Sequence, residues 1–252
     1  MALRLAVAVA ALRLGSIAHA QASAASGITV VASPSNVVAR YVAALASVSR
    51  PRAVTFEYTV EQLGPRDLSQ RHRVYREGVD ERDETLIVDG VQLSRPAIRI
   101  FANRGYSYDV GTMAPRPADY LFTLTSELRG EGGAAYIFHT TPRVPAAFSV
   151  REIAVDARTY LPFVIRFRVS TADASGNGFV AYGRADSYWV VREAKVSVTL
   201  ANGAKAQEHM VWSNYQFPEL LPPSTFIAPR PVATPPIAPA ELENEMPLTG
   251  PE

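Results

Sequence analysis

Along Phe163-Val164-Ile165-Arg166-Phe167-Arg168-Val169-Ser170, apolar and polar positions alternate. Phe163, Ile165, Phe167 and Val169 share one face; Val164, Arg166, Arg168 and Ser170 share the other. Strand side chains alternate with a period of two, so this segment is a strand with one apolar and one wet face. Residues 54–61 read the same way, with Val54, Phe56, Tyr58 and Val60 opposed to Thr55, Glu57, Thr59 and Glu61. Further strand patterns fall at about 70–76, 83–88, 135–140, 148–155, 178–184, 187–200 and 206–215. A strand opening at Val91 is expected to close at Pro96, because proline cannot donate to a ladder. Residues 98–101 and 106–110 read as a hairpin over Asn103-Arg104-Gly105. Residues 174–178 read as a hairpin loop, which makes Gly176 and Gly178 turn residues.

Two stretches carry helical spacing instead. Ser33-Pro34-Ser35-Asn36 offers capping groups before Val37, Val38, Tyr41, Val42 and Leu45, so a helix is expected over 35–47, stopped by Arg50-Pro51. Tyr120, Leu121, Leu124 and Leu128 follow two prolines at three-to-four spacing and predict a second helix over 115–128. The fold class is therefore mainly β (α+β), with roughly nine to eleven strands and two short helices. So large a sheet has more apolar face than two helices readily cover.

The termini set the boundaries. Met1-Ala2-Leu3-Arg4, an apolar run from Leu5 to Leu12 and Ala18-His19-Ala20 have the anatomy of a secretory signal peptide over 1–20, with cleavage before Gln21. Residues 21–34 are a small, polar lead, and 35–217 form the domain. From 218 to 252 there are ten prolines and five glutamates against one arginine, so this segment is expected to be an extended tail without a core.

Chemistry is sparse. The chain has 252 residues, a formal net charge of +1 and no cysteine. The charge gives no pull toward nucleic acid. The missing cysteines remove disulfides, thiol catalysis, cysteine metal sites and a lipid anchor at an N-terminal cysteine. No nucleophile elbow, phosphate loop or H-E-x-x-H is present, so neither metal nor cofactor is expected. The cluster Arg76-Glu77-Gly78-Val79-Asp80-Glu81-Arg82-Asp83-Glu84 reads as a solvated, self-paired loop. A hydrolase using Glu81 and Asp83 would need both carboxylates on one concave wall. His72 and His139 have no partner in sequence and read as surface or satisfied core histidines. Aromatics are spread over nearly every strand, Tyr108, Phe138 and Trp189 among them. An apolar cavity needs such a lining, and so does an ordinary filled core.

Three segments carry a resemblance: Asp156-Ala157-Arg158-Thr159-Tyr160-Leu161-Pro162 leading into the two-faced strand; Trp212-Ser213-Asn214-Tyr215-Gln216-Phe217-Pro218 near the end; and Val74-Tyr75-Arg76-Glu77 followed by Val88-Asp89-Gly90. Over about 35–220 the chain resembles the superfamily of periplasmic lipoprotein carriers and their relatives (LolA-like, LolB-like). The resemblance implies a half-open antiparallel β-barrel with an apolar concave side and a helical lid. It implies a non-catalytic, soluble carrier in the periplasm or outside the cell for a lipid or a lipoprotein acyl chain. Contact with envelope proteins, and transiently with a membrane surface, would follow. The family's key arginine falls on Arg76, with Glu77 where the family has proline. The cavity lining expected is Phe56, Tyr58, Arg76, Tyr120, Leu124, Phe163, Phe167 and Trp212. An interaction module of the same fold with a filled core is the alternative.

Overall fold

The computed structural model describes residues 33–65, 67–102, 108–130 and 133–227. The proposed signal peptide and most of the lead and tail lie outside these residues. Helix α1 (Pro34–Ser47) comes first, and the Ser33 hydroxyl accepts from the Asn36 amide at 3.3 Å to cap it. Strands β1 (Ala53–Leu63), β2 (Leu68–Glu77), β3 (Asp80–Val88) and β4 (Val91–Phe101) follow as successive hairpins. After the short helix α2 (Val110–Met113) come β5 (Tyr120–Gly130), β6 (Gly133–Pro142), β7 (Phe148–Asp156) and β8 (Pro162–Ser170). Strands β9 (Ala174–Ala185), β10 (Tyr188–Leu200) and β11 (Lys205–Gln216) complete the run, and a 3-10 turn spans Pro223–Phe226.

All eleven strands form one antiparallel sheet in the order β4-β3-β2-β1-β11-β10-β9-β8-β7-β6-β5. The sheet is open, with β4 and β5 as its edges. The chain leaves at one edge and re-enters at the other. Of the connection between them, residues 108–119 are described, and Val110, Met113 and Ala114 join the core on one face of the sheet. Tyr41 of α1 lies on the same face, 5.8 Å from the Phe122 ring, and its hydroxyl donates to the Pro115 carbonyl at 2.9 Å. Phe138, Ile153, Ile165, Phe167 and Val180 fill the half of the sheet beneath them.

Four sequence expectations are corrected. The second helix over 115–128, the expected lid, is strand β5. Tyr120, Leu124 and Leu128 are spaced by four, and four is a multiple of two, so the spacing fits a strand as well as a helix. Half-buried Tyr120, Phe122 and Leu124 alternating with exposed Leu121, Thr123 and Thr125 shows which period holds. Pro96 does not end its strand, because β4 is an edge and a missing amide there costs no ladder bond. A register shift opposite Thr85–Ile87 absorbs the distortion. Of the strand expected over 106–110, residues 108–109 are not strand and Val110 opens α2, where the Asp109 side chain accepts from the Gly111 amide; residues 103–107, with Asn103-Arg104-Gly105, lie outside the described residues.

Gly176 and Gly178, expected in a loop, lie inside β9. A Cβ at Gly178 would sit 2.3 Å from Val196 Cγ2 and 2.6 Å from Phe167 Cζ. The glycines are there because the neighbouring strand and the Phe167 ring come too close for any side chain.

Candidate functional site

Beside the filled half, the same face of β1, β2, β3, β10 and β11 walls a cavity of about 270 Å³. Alternation along β1 points Val54, Phe56 and Tyr58 into it. Pairing then sets their neighbours: Phe56 lies opposite Val74, and Tyr58 opposite Trp212. Met210 and Tyr215 extend the β11 wall, and Trp189 and Val191 come from the start of β10. The mouth is bounded by Val48, Arg50 and Pro51 between α1 and β1, by Tyr108 and Asp109 before α2, and by Phe217.

Several polar side chains of this wall are hydrogen-bonded to groups in or behind it. Tyr58 donates its hydroxyl to Asp83 Oδ2 at 3.0 Å and stacks on the His72 ring at 4.5 Å. His72 Nδ1 lies 2.7 Å from Asp83 Oδ1, both side chains being buried. Tyr215 donates to the Val191 carbonyl at 2.7 Å, and Trp189 Nε1–H donates to the Pro162 carbonyl at 3.0 Å. Apart from two ion pairs, the lining is mainly ring face and aliphatic surface. Burial pushes the Tyr108 and Tyr215 hydroxyls well above the usual tyrosine range, so both stay neutral.

Two ion pairs complete the lining. Half-buried Arg76 donates to buried Glu81 across the β2–β3 ladder. At the mouth Arg50 grips Asp109 through two hydrogen bonds, Nη2–Oδ1 at 2.8 Å and Nε–Oδ2 at 3.3 Å.

The cluster at 76–84 is thus not the solvated loop its composition predicts. Its turn is Gly78-Val79 alone, and Glu81, Asp83 and Glu84 are between 3% and 8% exposed. Antiparallel register puts Arg76 opposite Glu81, and Arg82 lies 2.6 Å from Glu84 on the other face. The carboxylates of the hydrolase reading are therefore both engaged: Glu81 by Arg76, Asp83 by His72 and Tyr58. Burial works to raise the Asp83 carboxyl, but the His72 hydrogen bond and charge and the Tyr58 hydroxyl outweigh it and hold it below the usual range.

Of the expected lining residues, Phe56, Tyr58, Arg76 and Trp212 meet at this cavity. Tyr120 and Leu124 pack from β5 against the core, and the Tyr120 hydroxyl accepts from the Val150 amide at 3.2 Å. Phe167 is buried against Phe148, and Phe163 is half-buried on β8. Trp189 and Tyr108, noted among the aromatics but not among the expected lining residues, line the cavity, as do Met210 and the Arg50–Asp109 pair. Alternation could have flagged Trp189; nothing local marks Arg50, which meets Asp109 across 59 residues of chain.

A second, open groove of about 450 Å³ lies on the opposite face around Glu57. It is polar and crossed by ion pairs: Glu57 accepts from Arg71 at 2.5 Å, Arg73 at 2.9 Å and Asn214 at 3.1 Å. Among the described residues no group of His, Asp and Glu is placed to hold a metal, and no helix is long and apolar enough to cross a membrane.

No family model matches the sequence, and no curated protein matches it. Solved structures with a similar outline include a DUF1329 family protein from Desulfovibrio piger, 14% identical, covering 76% of this chain and 97% of its own, at a TM-score of 0.41. A second is a putative outer membrane lipoprotein-sorting protein domain from Vibrio parahaemolyticus, 10% identical, covering 75% and 95%, at 0.43. A third is a LolA superfamily protein from Nitrosomonas europaea, 11% identical, covering 77% and 97%, at 0.37.

Proposed function

We propose that this chain is an exported, non-catalytic binding protein for a hydrophobic guest, built as a half-open β-barrel around the Phe56–Trp212 cavity. The observation that carries this reading is the division of labour in the cavity wall. Mainly aromatic and aliphatic surface faces the hollow, while each of the polar groups traced above is committed to another group of the protein. Large sheets curl, and the curl turns the covered face into a concave one. The guest would be the alkyl part of a lipid or of a lipoprotein acyl chain, entering past Arg50, Asp109 and Phe217.

Size limits the guest. An apolar cavity of about 150 Å³ holds one benzene ring. A cavity of about 270 Å³ takes one short hydrocarbon segment, and a multi-chain lipid would need the mouth to open further. Burial of each methylene contributes about 0.8 kcal/mol, so adding two carbons to a linear alcohol tightens binding roughly 15-fold until the cavity is full. A series of alcohols titrated by displacement of an uncharged fluorescent fatty-alcohol probe measures this. A plateau at a defined chain length supports the reading; affinity independent of length, or no saturable probe binding, contradicts it.

A second reading has one observation in its favour. The half of the sheet under α1 and α2 is filled by native side chains such as Phe138, Ile153 and Ile165. A structural or interaction module of the same architecture would extend that filling to the whole face, and would bind no probe.

A further inference from the structure

We infer that the cavity selects uncharged guests: it takes a hydrocarbon chain carrying an alcohol, an ester or no head group, and discriminates against an ionised fatty acid. This rests on the hydrophobic-guest reading and specifies its ligand class.

Among the described residues four charged side chains line the cavity, and they are closed into two pairs. Arg76 is joined to Glu81 within the wall, where their side chains are 12% and 3% exposed. Arg50 is joined to Asp109 at the mouth by a two-point grip. Each pair sums to zero, so the hollow presents no net charge to a guest.

A carboxylate entering the hollow would need a cation. The inner one, Arg76, is already neutralised by Glu81: a guest carboxylate must either share its guanidinium at close range with a carboxylate of the same sign, or draw it away and strand Glu81. Stranding a buried charge is among the most unfavourable changes a protein interior can undergo. Glu81 itself repels an incoming anion. Tyr58, Tyr215 and Trp189, which could solvate an anionic head, already donate to Asp83, Val191 and Pro162. An uncharged chain disturbs none of these contacts.

The outer pair grades the selection. The Arg50 side chain is 55% exposed, so a head group left in solvent passes it without desolvation. A fatty acid can therefore lodge its tail only as far as its head can stay at the mouth, which shortens the length of chain buried. The same chain ending in a hydroxyl or an ester has no charge to desolvate, so its head can follow the tail inward at the smaller cost of an uncharged polar group.

The test compares decanol with decanoate at pH 8, where the acid is fully ionised, each displacing the same fluorescent probe from the full exported chain. The expected result is decanol at least tenfold tighter than decanoate. Decanoate binding as tightly as decanol overturns the inference and leaves the hydrophobic-guest reading standing; displacement by neither compound removes both. Glu81→Gln, which leaves Arg76 with a neutral neighbour, should move the decanoate-to-decanol ratio toward the acid by about tenfold, its fold checked by circular dichroism. Asp109→Asn keeps the α2 cap and opens the outer pair, so it should move the ratio the same way even if the inner substitution does not fold. An unchanged ratio in the folded variants counts against charge closure as the cause.

Discussion

Asp83 is the residue on which the wall behind Tyr58 depends. It holds the Tyr58 hydroxyl and the His72 ring together, out of water, while His72 stacks on Tyr58 from the same side. Because the folded carboxyl titrates below its unfolded value, near 3.9, it contributes stability that is fully present above that pH. The contribution is lost as pH falls through the lower, folded value. His72, Tyr58 and Arg99 are the groups that lower it, against burial. Asp83→Asn should cost about 1–3 kcal/mol at pH 7 and flatten the acid side of the stability profile. Thermal melts of both proteins from about pH 2 to about pH 7, a window that brackets the carboxylate range, check this: the two curves should converge on acidification. Parallel curves would contradict it. Little of this network is legible in the sequence. His72 and Asp83 are eleven positions apart, and only the β2–β3 register with its shift at Arg71–His72 brings them together.

At the scale of elements, alternation reads well wherever a strand has one wet face. Strands β1 and β8 appear with their faces as expected, and α1 appears within a residue of its expected bounds. The pattern misleads where two periods share a spacing, as at Tyr120, Leu124 and Leu128, and where a strand residue has the chemistry of a turn. Gly178 is the sharpest case, because its reason lies on β8 and β10, not in its neighbours in sequence. Gly178→Ala should lower stability by about 1–3 kcal/mol through overpacking, since the added methyl group meets Val196, Lys195 and Phe167 at once. Urea denaturation measures it; a neutral result would mean that Phe167 swings aside freely. Pro96 shows the same limit from the other direction: whether a proline ends a strand depends on whether that strand is an edge.

For the molecule as a whole, the sequence supplies the strands and not the order in which the sheet closes on itself. The pairing of β1 with β11, between residues some 160 apart such as Thr55 and Gln216, joins the two meanders and creates the cavity wall. No local pattern specifies that pairing, which is why only half of the expected lining converges. Phe56, Tyr58, Arg76 and Trp212 lie at or beside the junction, whereas Tyr120, Leu124, Phe163 and Phe167 belong to the strands on the filled side. The opening residues of the proline-rich tail also find a place that composition does not predict. The Leu221 amide donates to Glu77 at 3.0 Å, and Arg82 donates to the Thr225 carbonyl at 3.1 Å, so the chain is drawn from Phe217 at the mouth round to the outer face of β3.

Both tryptophans of the chain, Trp189 and Trp212, line the hollow, so their fluorescence reports directly on whether it takes a guest. Titration with an alcohol brominated along its chain should quench that emission to a plateau at one guest per protein. Quenching that instead rises linearly with bromoalcohol and never saturates would mean that no hydrocarbon enters between these two rings.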